Sequence, residues 1–121
     1  MSDVRGIGVD LCAIPRMEKL LGNERFLSRS FTPGEIAYIR SRGLMAGASM
    51  AGLWAAKEAA VKALGVGISL PLTEIEISHT RSGQPVYVLS GQALELSLGG
   101  HLHLSISHEG DMAAAFCVWS V

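Results

Sequence analysis

Asp10, near the end of VRGIGVDL, and Lys57, Glu58 and Lys62, inside WAAKEAAVKALGVG, are residues whose types and spacing could do chemistry. A carboxylate held with two ammonium groups on a rigid helix can bind a divalent cation and a polyphosphate together, because hard oxygens suit Mg²⁺ and lysines neutralise phosphate. A plainer reading is open too. Glu58 and Lys62 would form an ordinary i, i+4 surface pair worth about 0.3–0.5 kcal/mol, and an aspartate after a strand often only caps or turns the chain. His108, closing the strand-like SISH, suits a structural role as well as a binding one. His101 and His103 face one side of a strand and could begin a zinc site, but with no third ligand at a suitable spacing they read as surface residues.

The elements that must position these groups follow from local patterns. Alanine favours helix and glycine stops it, so the central helix begins between Leu44 and Ser49 and runs to Leu64, with Gly65 and Gly67 releasing the chain. Trp54, Lys57, Val61 and Gly65 lie along one stripe of it, and Glu58 and Lys62 lie beside that stripe. The alanines opposite allow close packing, which predicts a polar trio held along one helix edge. Val4 to Leu11 alternates as a first strand and delivers Asp10 to a strand-to-helix junction before PRMEKLL. Gly22 to Ser30 is a basic, polar stretch. Thr32-Pro33-Gly34-Glu35 is a capping box that starts a helix over EIAYIRSR. Strands at 73–78 and 85–90 flank the turn RSGQ, GQALELSL suits a short helix, and strands at 102–108 and 112–121 flank EGD. This order predicts an α+β fold, a single domain over residues 1–121, with a mostly antiparallel sheet packed around the long central helix.

Composition bounds the function. The chain is 49% hydrophobic with 17% charged residues, apolar for a domain of 121 residues, and this predicts an oligomer. A net charge of −1 argues against a general nucleic-acid binder. Residues 1–45 nevertheless hold seven Arg/Lys against five Asp/Glu, while the remainder holds three against six, so the first part could face an acidic partner. Cys12 and Cys117 form no metal or disulfide pattern, and MSDVRGIGVD lacks the plan of a signal peptide; both point to the cytoplasm. The apolar run 44–56 is too short to span a membrane.

Taken jointly, GIGVD followed by Arg16, FTPGEIAYI, WAAKEAAVKALGVG, SGQPV and SISH resemble the holo-[acyl-carrier-protein] synthases, the small type of 4′-phosphopantetheinyl transferase. The likeness runs through almost the whole chain in order. It implies transfer of the 4′-phosphopantetheine arm of coenzyme A to a serine hydroxyl of apo-acyl carrier protein, releasing adenosine 3′,5′-bisphosphate. By the same resemblance Asp10 and Glu58 are the Mg²⁺ ligands, with Mn²⁺ suited to the same donors. Asp10, Glu58 and Lys62 are then catalytic, with Lys57 and Lys62 on the phosphates. The serine proton goes to Glu58 or to a water on the metal, a choice the residues leave open. Gly65, Gly83, Pro85, Ser107 and His108 are assigned to the coenzyme A pocket.

The resemblance also makes Arg16, Lys19, Arg25 and Phe26 a dock for the acidic carrier protein, and it implies a homotrimer with active sites between subunits. On residues alone, that basic stretch is the solvated side of an amphipathic helix whose Met17, Leu20 and Leu21 face the core. Met112-Ala113 stands where many members carry Tyr-Ala, a difference that touches local packing. Two rivals stand beside the enzyme: a trimeric module that binds coenzyme A or a nucleotide without chemistry, and a purely structural oligomer built on the alanine-faced helix.

Overall fold

The computed structural model describes residues 3–65 and 69–121. Gly67, expected to help end the central helix, lies outside them.

The chain runs β1 (Val4–Ala13), α1 (Ile14–Glu18), α2 (Glu24–Ser30), α3 (Pro33–Arg40), α4 (Ala46–Leu64), β2 (Ile75–His79), β3 (Pro85–Leu89), α5 (Gly91–Leu96), β4 (His101–Glu109) and β5 (Met112–Ser120). Strands β1, β5 and β4 form one antiparallel sheet in that order, and β2 and β3 form a second, two-stranded one. The α+β expectation holds, and the long helix is its centre: α4 packs on β1, β5 and β4.

Each end of α4 has a local cause. A 3₁₀ turn at Gly43–Met45 leads in, and Gly65, at φ 77°, caps the other end by donating its N–H to Val61 O and Lys62 O. The alanines at 51, 55, 56, 59, 60 and 63 are all buried. Their small side chains let β1 lie almost on the helix backbone. Gly6 and Gly8 complete that approach, since a Cβ on either would overlap the carbonyl of Ala63 or Ala59.

The capping box of α3 is present in both directions: Thr32 Oγ1 accepts from Glu35 N at 3.2 Å, and Glu35 Oε1 accepts from Thr32 N at 2.9 Å. Thr32→Ala is therefore expected to lower stability by about 1 kcal/mol, read as a fall in thermal midpoint.

Two local readings are corrected. The stretch 22–30 contains α2, capped by Asn23, whose Oδ1 accepts from Phe26 N. The Asn23-Glu24 pair was the available signal for it, an N-cap followed by an acid in the first turn. Strand β2 starts at Ile75 rather than residue 73, because Leu72–Glu74 forms a 3₁₀ turn.

Cys12 and Cys117 are buried and free. Burial raises both thiols above the ordinary value, Cys117 to about 11, which marks them as packing residues rather than nucleophiles. Among the described residues no helix is long and apolar enough to cross a membrane.

Candidate active site

Because β1 lies so close to α4, Asp10 reaches the helix edge. Lys62 Nζ donates to Asp10 Oδ1 at 3.1 Å and to Val9 O at 3.0 Å, which ties the lysine to the strand and uses two of its three N–H donors. Glu58 sits one turn earlier on the same helix edge. The i, i+4 pair with Lys62 that its spacing allows does not form; Lys62 turns to Asp10 instead.

Glu58 is half-buried, and its carboxylate has no hydrogen-bond or ion-pair partner among the described residues. Burial, and then the charge of Asp10, raise it above the usual carboxylate range, while Lys62 and Arg16 pull the other way. Two adjacent carboxylates, one of them unengaged, fit a hard divalent cation. No cluster of three or more His, Cys, Asp or Glu side chains suited to a metal exists among the described residues. The protein thus offers a small oxygen set, as Mg²⁺ sites that lean on water and substrate phosphate do. An open depression of about 410 Å³ lined by Val9, Asp10, Leu11 and Lys62 lies over it.

Lys57 departs from expectation. Its side chain is 0% exposed and points into the core, where Nζ meets Glu35 Oε1 at 2.7 Å and donates to Leu72 O at 2.9 Å and Ile75 O at 2.8 Å. All three donors are spent inside the protein. It therefore cannot neutralise a substrate phosphate as expected. The reason is the helix period: one residue turns the side chain by 100°, from the core at Lys57 to the edge at Glu58.

A cavity of about 380 Å³ opens on the other side of α4. Tyr38 and Arg42 of the α3 region, His79 at the end of β2, and Gly83, Pro85 and His108 all line it. Gly83, at φ 92°, makes the turn before Pro85 and donates to Thr80 O at 2.8 Å. Tyr38 and His79 stack with ring centroids 4.3 Å apart, and the Arg42 guanidinium lies 5.6 Å from the Tyr38 ring. Burial, and then the Arg42 charge, lower the His79 pKa. His108 Nε2 lies 2.9 Å from Ala48 O at the start of α4.

Ser107 does not join this cavity. Strand alternation turns it to the outer sheet face, opposite Ala114, while Ile106 and His108 face the helix. Gly65 serves as the α4 cap and does not line the cavity. Sequence reasoning missed Tyr38, Arg42 and His79. Tyr38 and Arg42 share a helical i, i+4 face, but nothing local links them to His79.

The expected docking residues are partly drawn inward. Arg16, Lys19 and Arg25 are exposed, and the Arg16 guanidinium lies 5.7 Å from the Trp54 ring. Phe26 packs on Trp54 at 5.4 Å and on buried Phe31 at 6.2 Å. Trp54, one turn before Glu58, thus touches both α1 and α2, a role its place in the helix pattern did not reveal. His101 and His103 stack edge to face at 4.4 Å, with His103 Nε2 3.0 Å from Ser120 Oγ.

Residues 6–117 match the 4′-phosphopantetheinyl transferase superfamily, and the chain belongs to that family. More narrowly, it is similar to the holo-[acyl-carrier-protein] synthase of Verminephrobacter eiseniae, 42% identical over 90% of this chain and 88% of that one. The synthase of Treponema denticola is 37% identical over 95% and 97%. The solved holo-(acyl-carrier-protein) synthase of Bacillus anthracis in complex with CoA (3′,5′-ADP) superposes with TM-score 0.82 at 32% identity, covering 97% of this chain and 96% of that one. The Helicobacter pylori synthase in complex with coenzyme A gives 0.81 at 34%, covering 95% and 99%. The resemblance read from GIGVD, FTPGE and WAAKE holds along the chain.

Proposed function

We infer that this chain transfers the 4′-phosphopantetheine of coenzyme A to a serine of apo-acyl carrier protein. The observation that carries the reading is the meeting of Asp10, Lys62 and an unengaged Glu58 at the β1–α4 edge, in a chain of this family. The serine oxygen forms a new bond to the phosphorus that bears the pantetheine arm. The bond from that phosphorus to the bridging pyrophosphate oxygen breaks, and adenosine 3′,5′-bisphosphate leaves. Such transfer is chiefly alignment and charge stabilisation.

Asp10 and Glu58 would hold a Mg²⁺ or Mn²⁺ ion, which when bound supplies positive charge to the pyrophosphate. Lys62, its side chain 54% exposed, meets the phosphates from the helix edge. Glu58, whose carboxylate no described side chain engages, has one oxygen for the ion and another for the serine proton. The cavity walled by the Tyr38–His79 stack, Arg42 and His108 takes the nucleotide end, offering aromatic faces and a cation.

The outer face of β1 supports the homotrimer reading. Ile7, Val9 and Leu11 are 60%, 54% and 65% exposed there, with Phe116 of β5 beside them. So apolar a face suits burial against another copy, and Val9 and Leu11 flank Asp10, so a neighbouring copy would wall the depression over the site. The buried free thiols suit a reducing cytoplasm.

The test is intact-mass measurement of apo-acyl carrier protein incubated with this protein, coenzyme A and Mg²⁺. The expected result is a gain of one phosphopantetheine that vanishes with EDTA; no gain with several carrier proteins overturns the reading in favour of a binding module. Arg16, exposed beside the site, serves the carrier dock. Arg16→Ala is expected to raise the carrier-protein KM about tenfold with that for coenzyme A unchanged, an effect that shrinks as salt rises. Steady-state kinetics at two salt concentrations check it.

A further inference from the structure

The reading above leaves a buried ion pair without a task. The side chains of Glu35 and Lys57 are 1% and 0% exposed, and each is fully engaged. Glu35 is shared between two elements: it caps α3 through Thr32 N, and its Oε2 accepts from Ile77 N of β2 at 2.8 Å. Lys57 holds the chain entering β2 through the carbonyls of Leu72 and Ile75. One ion pair therefore fastens α3, α4 and the start of β2 together.

What those elements carry beyond the pair gives it meaning. One turn after Glu35, α3 presents Tyr38, and two residues after Ile77, β2 presents His79; these are the two rings stacked in the cavity wall. One residue after Lys57, α4 presents Glu58, and Lys62 follows one turn later on the same edge. The pair thus fixes where the cavity wall sits on α4, the helix that also carries the carboxylate edge. A buried pair is no cheap source of stability, because removing two charges from water offsets most of their attraction. Its geometric demand is strict, however, since each partner must stay within hydrogen-bond reach.

We propose that Glu35 and Lys57 are positioning residues that hold Tyr38 of α3 against His79 of β2 on α4, and so set the shape of the cavity wall that takes the nucleotide. This rests on the functional reading above. Neither residue touches substrate; both act through the elements they join. Reactions governed by alignment are sensitive to such a joint, and a shift of about 1 Å can cost about 100-fold in rate.

The test is the double variant Glu35→Gln/Lys57→Met, which removes both charges together, preserves most of the volume and leaves no unpaired buried ion. It is expected to fold, by circular dichroism and melting. Its kcat/KM for coenzyme A should fall about 100-fold while the KM for carrier protein changes far less, because Arg16 and Arg25 lie outside the joint and only Phe26, through Phe31, is linked to Lys57. In NMR spectra the His79 imidazole protons, shifted in the native chain by the Tyr38 ring, should move toward free-histidine values. Should the double variant not fold, Lys57→Met alone, which keeps the Thr32 and Ile77 bonds of Glu35, is read in the same two ways. A folded variant with native His79 shifts overturns the proposal, as does an equal rise in both Michaelis constants, which marks general loosening. If the native chain neither binds coenzyme A nor transfers, the functional reading fails, and the His79 shifts still decide whether the pair sets the cavity wall.

Discussion

Glu58→Gln is expected to lower phosphopantetheine transfer by about 100- to 1000-fold, the scale seen when one electrostatic group is removed from a preorganised site, while the chain folds as before. The substitution keeps shape and volume and removes one negative charge. Nothing in the fold depends on that charge: the carboxylate is half-buried beside Asp10 and takes no hydrogen bond from any described residue. Burial and Asp10 both disfavour its ionised form, so the neutral amide should leave the metal-free protein no less stable. Divalent cation should raise the melting temperature of the native chain and not of the variant, because binding only to the folded state adds stability. Intact-mass rates and melting with and without Mg²⁺ read both effects. A variant that transfers at the native rate would remove Glu58 from the chemistry and favour a module that merely binds.

The second large effect lies in the backbone. Gly8→Ala is expected to cost about 3 kcal/mol or more, at or beyond the upper end of ordinary overpacking. The new methyl would overlap the Ala59 carbonyl, which belongs to the helix backbone and cannot swing aside as a side chain could. Relief requires β1 to move off α4, and Asp10, two residues on, moves with it. A chain that survives should therefore lose transfer out of proportion to its melting shift. Urea unfolding measures the stability cost, and transfer rates at low temperature, where the variant remains folded, measure the second. Native stability in Gly8→Ala would contradict the close approach of strand and helix.

These two residues also divide what was legible from what was not. Thr32 and Glu35 state their own capping box, Gly65 states the end of α4, and the alternating runs state the strands to within a few residues, because turns, caps and alternation are set by neighbours along the chain. Asp10, Glu58 and Lys62 could be nominated from type and spacing, with family resemblance joining the strand to the helix. Lys57 could not be placed that way. Whether the helix buries it or exposes it depends on Glu35, Leu72 and Ile75, which stand elsewhere in the sequence and meet it only in the fold. Ser107 and His108 are likewise adjacent in sequence, yet the direction of β4 sends one to the outer face and the other to the cavity. The sequence by itself determined the elements, their ends and the kinds of groups available for chemistry, since these follow from local backbone preference and side-chain type. The tertiary structure decided which groups face one another, because burial and ion pairing depend on distances between segments that local preference does not encode.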